Sequence, residues 1–128
     1  MGKVLRTVRS VDRSISVIIS TYTIDRFDYV LDCIESLKRQ TLLPEEIILV
    51  LDPSKTLLKF YRSRLPCDVK VVVSERAGLS EARNTGVKNA KGDIIAFIDD
   101  DANAHENWLK NLVKDYDDPQ VVGVGGAV

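Results

Sequence analysis

The sequence predicts an α/β fold: a mainly parallel sheet of about five strands with helices on both faces. Three observations carry this. Short β-branched runs recur along the chain and are apolar throughout rather than alternating, as strands buried on both faces require. Segments with apolar residues at helical spacing lie between them. The length of 128 residues, with 45% apolar and 29% charged side chains, suits one globular core and excludes disordered, collagen-like and coiled-coil readings.

The elements follow in order. Residues 1–14 read as a basic leader, with Lys3, Arg6, Arg9 and Arg13 beside Val4, Leu5, Val8 and Val11. An extended leader is the simpler reading and a membrane-surface helix the alternative; no signal-peptide or membrane-spanning run is present. Residues 15–128 form the domain. Ser16–Ser20 reads as strand one. From Phe27 to Gln40, Phe27, Val30, Leu31, Ile34 and Leu37 mark a helix whose outer face carries Asp28, Asp32 and Glu35. Lys38 and Arg39 close it where the helix dipole favours cations.

Glu46–Leu51 is strand two, Thr56–Leu65 a second helix and Val69–Val73 strand three. Gly78 and Ser80 open a third helix with Ser80 as its expected N-cap, and Lys91-Gly92 ends it. Strand four covers Asp93–Ile98. Asn103–Tyr116 is a fourth helix with Trp108, Leu109, Leu112 and Val113 inward, and Val121–Val128 begins a fifth strand.

Composition narrows the function classes. Eighteen basic against nineteen acidic residues give a net charge of -1, so no nucleic-acid partner is expected. Cys33 and Cys67 stand far apart with no CxxC and a single histidine, which argues against a zinc site or a disulfide scaffold. The same usage suits a reducing compartment, hence a cytoplasmic location.

Ligands of open parallel sheets bind outside the carboxyl ends of the strands. Strand one ends in Ser20-Thr21-Tyr22-Thr23, strand two in Asp52-Pro53-Ser54 and strand four in Asp99-Asp100-Asp101. Three successive carboxylates repel one another unless solvent, a helix N-terminus or a cation offsets them. With Asp99 still extended, Asp99 and Asp101 fall on one side, a hard-oxygen pair suited to Mg²⁺ or Mn²⁺ with substrate phosphates. The competing reading is a solvated loop at the start of the fourth helix.

The segment Gly78-Leu79-Ser80-Glu81-Ala82-Arg83-Asn84-Thr85-Gly86 turns the chain into a helix whose first amides could face an anion. Ala82, Gly86 and Ala90, four residues apart, let that helix pack closely on the sheet. Arg83 offers planar donors to a base or phosphate. No G-x-x-x-x-G-K-[ST] phosphate loop occurs. Asp52 either accepts hydrogen bonds from a nucleobase or ribose or starts a turn. Tyr22 either stacks on a ring or packs in the core. His105 reads as a surface residue, Cys33 as packing and Cys67 as an unactivated turn residue, and one histidine so placed builds no Ser-His-Asp triad.

The succession Ser-Val-Ile-Ile-Ser-Thr-Tyr-Thr, a helix ending Glu-Ser-Leu-Lys-Arg-Gln, Glu-Ile-Ile-Leu-Val-Leu-Asp, Gly-Leu-Ser-Glu-Ala-Arg-Asn-Thr-Gly and Lys-Gly-Asp-Ile-Ile-Ala-Phe-Ile-Asp-Asp-Asp resembles family 2 glycosyltransferases, in order, from about Ser16 to Val128. The resemblance implies a GT-A fold, a Rossmann-like half that binds a nucleotide-sugar with Mg²⁺ or Mn²⁺. It implies that the Thr21-Tyr22 region and Asp52 hold the base, usually uracil, and that Arg83 contacts base or diphosphate. Asp99-Asp100-Asp101 matches the family's DxD motif, with Asp100 on the nucleotide side, Asp101 ligating the metal and Asp99 supporting ribose or metal.

One departure stands out: Leu51-Asp52-Pro53-Ser54 has one acid and a proline where the family usually has two acids and a glycine. The Tyr-Thr and Asp-Asp-Asp-Ala runs are similar to a subgroup acting on polyprenyl-phosphate-linked acceptors, including glucuronosyl transfer. The resemblance further implies an inverting transferase, moving a sugar from a UDP-sugar to a glycan or lipid-linked acceptor. Its general base is expected beyond Val128, with the full-length protein associated with a membrane. On that reading the chain is the donor-binding part and binds UDP without transferring sugar, and an exposed face where the rest would pack favours homo-oligomers. The alternative is a non-catalytic nucleotide-binding or interaction module. A phospho-receiver or a haloacid-dehalogenase-type phosphatase fits less well, because either places its acids after the first strand.

Overall fold

The computed structural model describes residues 14–116. The expected leader up to residue 13 and the expected fifth strand at 121–128 lie outside the described residues. Four strands are present among those described: β1 (Ile15–Thr21), β2 (Glu46–Leu51), β3 (Val69–Val73) and β4 (Ile94–Asp99). They form one parallel sheet in the order β3-β2-β1-β4. The fold class is therefore the α/β class expected, with four strands rather than five in the described sheet.

Four helices connect and cover the strands: α1 (Phe27–Lys38), α2 (Lys55–Arg64), α3 (Leu79–Asn89) and α4 (Trp108–Tyr116). The larger core lies on one face of the sheet. There Val17, Ile19, Leu49 and Ile98 meet Val30, Ile34 and Leu37 of α1, Leu57 and Tyr61 of α2, and Trp108 and Leu109 of α4. The other face is thinner, with Ile18, Ile48 and Val50 packed against Ala82 of α3. Burial on both faces explains why the strands read as continuous apolar runs.

Helix boundaries moved where local chemistry differed from the periodicity. A 3₁₀ turn, Ile24–Arg26, precedes α1, and Thr23 caps it by accepting from the Asp25 amide at 3.1 Å. Ser54 caps α2 through the Leu57 amide at 3.1 Å, so that helix starts at Lys55 instead of Thr56. Gly78, not Ser80, is the N-cap of α3; it sits at φ +113°, a conformation that favours glycine. The last helix begins at Trp108 rather than Asn103, because residues 102–107 are strapped to α1 as an irregular loop.

The small-residue spacing of α3 has the predicted effect. A methyl group added at Gly86 would stand 2.6 Å from Ile18 Cγ2, so helix and sheet approach as closely as glycine permits. At the amino end of the sheet, Glu46 accepts from Ser16 Oγ at 2.6 Å and from the Lys91 amide. Burial pushes the Glu46 carboxyl up, but the Ser16 and Lys91 hydrogen bonds and the charges of Lys70 and Lys91 outweigh it and hold it below the ordinary value. Ser14 accepts there as well, its carbonyl from the Ile94 amide at 2.9 Å. These contacts fix the entry into β4 and so the height at which β4 ends.

Candidate functional site

Register brings the strand ends to one level. Ser20 pairs with Val50 on one side and with Asp99 on the other, and Thr21 pairs with Leu51. The residues that follow β1 and β2 therefore emerge beside the end of β4. A pocket of about 370 Å³ opens there, lined by Ser20, Thr21, Tyr22, Arg26, Asp52, Gly78, Leu79, Ala82, Asp99, Asp100 and Asp101. Six of the seven expected site residues share it: Thr21, Tyr22, Asp52, Asp99, Asp100 and Asp101.

Each wall has a local cause. Thr21 is buried at the last position of β1, at the foot of the pocket. Tyr22, the next residue, is 64% exposed at the rim, so it is not a core tyrosine. Asp52 leaves β2 with its amide bonded to the Thr21 carbonyl at 3.3 Å. Its Oδ1 accepts from the Gly78 amide at 3.4 Å, which ties the end of β2 to the start of α3.

The acid run departs from the expected alternation. β4 ends at Asp99, and the Ala102 amide donates to the Asp99 carbonyl at 3.1 Å, closing a turn. The turn, not strand pleating, brings the three carboxylates to the pocket. They differ in setting: Asp100 is 8% exposed, whereas Asp99 and Asp101 are exposed. Behind them the Cys33 thiol donates to the Asp99 carbonyl at 3.6 Å. Burial, with the charges of Asp100, Asp101 and Asp99, pushes that thiol up to about 12, so it stays neutral packing as expected.

The residue that sequence reasoning missed is Arg26. Its Nη1 lies 3.0 Å from Asp100 Oδ1 and 3.5 Å from Asp101 Oδ2. Asp100, by charge and hydrogen bond, is the main cause of the raised pKa of Arg26. In sequence Arg26 is one of many basic residues flanking a helix; only the 3₁₀ turn aims it across at residues more than seventy positions away. That turn is itself held by the Tyr61 hydroxyl, which donates to the Thr23 carbonyl at 2.7 Å.

Arg83 is the expected residue that the pocket lacks. It is exposed, with its guanidinium carbon 5.1 Å above the Phe97 ring at the β4 edge. Ala82 faces the sheet and lines the pocket, and one residue further along a helix turns by about 100°. His105 is exposed, as expected, and its Nδ1 accepts from the Asn107 amide at 3.2 Å.

Among the described residues, no three His, Cys, Asp or Glu side chains are grouped to hold a metal ion by themselves. The donors that the pocket does present are carboxylate oxygens. That set fits a hard divalent cation taking one or two carboxylates and completing its shell with phosphate oxygens and water.

Sequence comparison matches residues 16–128 to the family described as "Glycosyl transferase family 2". The chain belongs to glycosyltransferase family 2. It is 34% identical over 119 residues to the glucosyl-dolichyl phosphate glucuronosyltransferase of Haloferax volcanii, covering 89% of this chain and 38% of that protein. It is 36% identical over 117 residues to the glycosyltransferase EpsJ of Bacillus subtilis, covering 87% of this chain and 33% of that one. The chain thus spans about a third of the length of these family 2 relatives.

Solved structures agree on the fold. S. aureus TarS 1-349 in complex with UDP-GlcNAc is similar with a TM-score of 0.59 and 27% identity, over 80% of this chain and 31% of that one. Glucosyl-3-phosphoglycerate synthase from Mycobacterium tuberculosis matches with a TM-score of 0.63 and 24% identity, over 87% and 41% of the two chains. The family 2 chain therefore carries the Rossmann-like GT-A arrangement, and it is similar to a protein, TarS, solved in complex with UDP-GlcNAc.

Proposed function

We propose that this chain binds the donor of a sugar-transfer reaction, a nucleotide-diphosphate sugar of the UDP type, at the carboxyl edge of its sheet. The observation that carries the reading is the single pocket joining the ends of β1, β2 and β4, with Thr21, Tyr22 and Asp52 on one side and the acid turn on the other. Thr21 and Asp52, which line the pocket, are the polar residues for the base or ribose. The exposed ring of Tyr22 offers a stacking surface at the rim.

In this reading Asp101 and Asp99 hold Mg²⁺ or Mn²⁺ against the diphosphate. Bound there, the cation offsets the charge that gathers on the leaving diphosphate as the sugar departs. Asp100 lies deeper, paired with Arg26, and shapes the turn beneath the nucleotide. Arg83 is left a contact to the donor only from outside the pocket. The likeness to TarS, solved with UDP-GlcNAc, supports the donor type. The likeness to the archaeal glucuronosyltransferase supports transfer to a lipid-linked sugar. A cytoplasmic setting belongs to the same proposal, with Cys33 and Cys67 as free thiols.

Calorimetry with UDP tests it. Binding is expected with Mn²⁺ present, to weaken at least tenfold without the metal, and to weaken similarly in Asp101→Ala. Absent binding, or binding indifferent to both changes, overturns the assignment.

A further inference from the structure

The pocket contains a fixed positive charge before any metal arrives. Arg26 Nη1 sits between two carboxylates, 3.0 Å from Asp100 and 3.5 Å from Asp101. The two contacts are unequal in environment as well as length. The Asp100 side chain is 9% exposed, so its charge needs a permanent partner, whereas the Asp101 side chain is 52% exposed and is reached by solvent. The backbone carrying Arg26 is anchored by the Thr23 cap and by Tyr61.

We propose that Arg26 is the resident counter-cation of the acid turn: it keeps Asp100 and competes with a divalent cation for Asp101. This rests on the reading of Asp101 as a metal ligand. A cation ligated by Asp101 would stand within a few ångströms of the guanidinium, and two like charges that close oppose each other. Arg26 must therefore release Asp101 as the metal binds, while its shorter bond to the buried Asp100 survives. The paired state offsets one of the turn's three negative charges before a metal arrives, and the affinity for free metal is correspondingly lowered. A nucleotide-bound metal brings phosphate charge with it and suffers less from Arg26, so the arrangement favours the metal–nucleotide complex over bare Mn²⁺.

The test is Mn²⁺ binding to the nucleotide-free chain, read from the spin-resonance signal of free Mn²⁺. Wild type, Arg26→Gln, Arg26→Lys and Asp101→Asn are compared, with circular dichroism checking each fold. Arg26→Gln is expected to bind Mn²⁺ about tenfold tighter than wild type, Arg26→Lys to resemble wild type, and Asp101→Asn to bind more weakly. Equal or weaker binding by folded Arg26→Gln, with Asp101→Asn still impaired, overturns the role of Arg26 and leaves the metal reading standing. Equal binding by wild type and Asp101→Asn overturns the metal reading and this inference with it. Should Arg26→Gln not fold, the wild-type guanidinium NMR signal of Arg26 decides. It is expected to shift on Mg²⁺ addition, and an unmoved signal with Mg²⁺ bound overturns the competition.

Discussion

Gln40 Nε2 donates to the His105 carbonyl at 2.6 Å, while Gln40 Oε1 accepts from the Leu109 amide at 3.0 Å. One buried amide thus ties the chain just past α1 both to the loop before α4 and to the first turn of α4. Ser36 adds a third tie, its Oγ accepting from the Ala104 amide at 3.0 Å. The loop that follows the acid turn is held from behind by Ser36 and Gln40, groups that do not line the pocket.

Gln40→Leu keeps the side-chain bulk but strands the buried Leu109 amide and removes the partner of the part-buried His105 carbonyl. The expected cost is about 2–4 kcal/mol in urea unfolding. Amide exchange at Leu109 should accelerate more than exchange in β2, which marks the effect as local to this strap. A uniform acceleration would contradict it.

Gly86→Ala places a methyl group 2.6 Å from Ile18 Cγ2 and 2.8 Å from Ile18 Cδ1. Overpacking of this kind costs about 1–3 kcal/mol. Trimming the neighbour with Ile18→Val removes the Cδ1 clash, so the double variant should lose less than the sum of the two single changes. A double-mutant cycle measures the difference, and strict additivity would count against the close approach.

Glu46 makes stability depend on acid. Its folded pKa is lowered, so it contributes stability that is present above the unfolded value, about 4.3, and lost as pH falls through the lower folded value. Glu46→Gln should be less stable than wild type by about 1–2 kcal/mol at pH 7. The gap should narrow below about pH 4, measured by denaturant unfolding across pH. A gap that is constant from pH 7 to pH 3 would assign the cost to shape, not charge.

The two thiols should separate cleanly. Cys67 is exposed, whereas Cys33 is buried and its pKa is pushed up to about 12. A maleimide at neutral pH should label one site per native chain and two after denaturation, with mass mapping placing the first label on Cys67. Native labelling of Cys33 would show that the middle of α1 opens readily from the acid turn.

Much of this was legible in the residues themselves. Non-alternating runs such as Glu46–Leu51 announced a sheet buried on both faces, and polar residues at three strand ends announced where a ligand edge would form. Helix starts were less legible. Ser80 looked like a cap by type, but Gly78 can take φ +113° and so turns the chain two residues earlier. A start at Asn103 extends the helical pattern of α4 backwards, but hydrogen bonds with Ser36 of α1 and with Gln40 and Thr41 just past it hold residues 104–106 in a loop.

Local pattern by itself determined the α/β class, the strand-end carboxylates and the need for small residues on α3, because burial and backbone conformation select residue types position by position. The tertiary structure decided which charges meet. Arg83 and Arg26 are the same side chain near a helix start, yet one lies over Phe97 and the other between Asp100 and Asp101. The register of four strands and the direction of two turns separate them, and those are set by packing across the whole sheet rather than by neighbours in the chain.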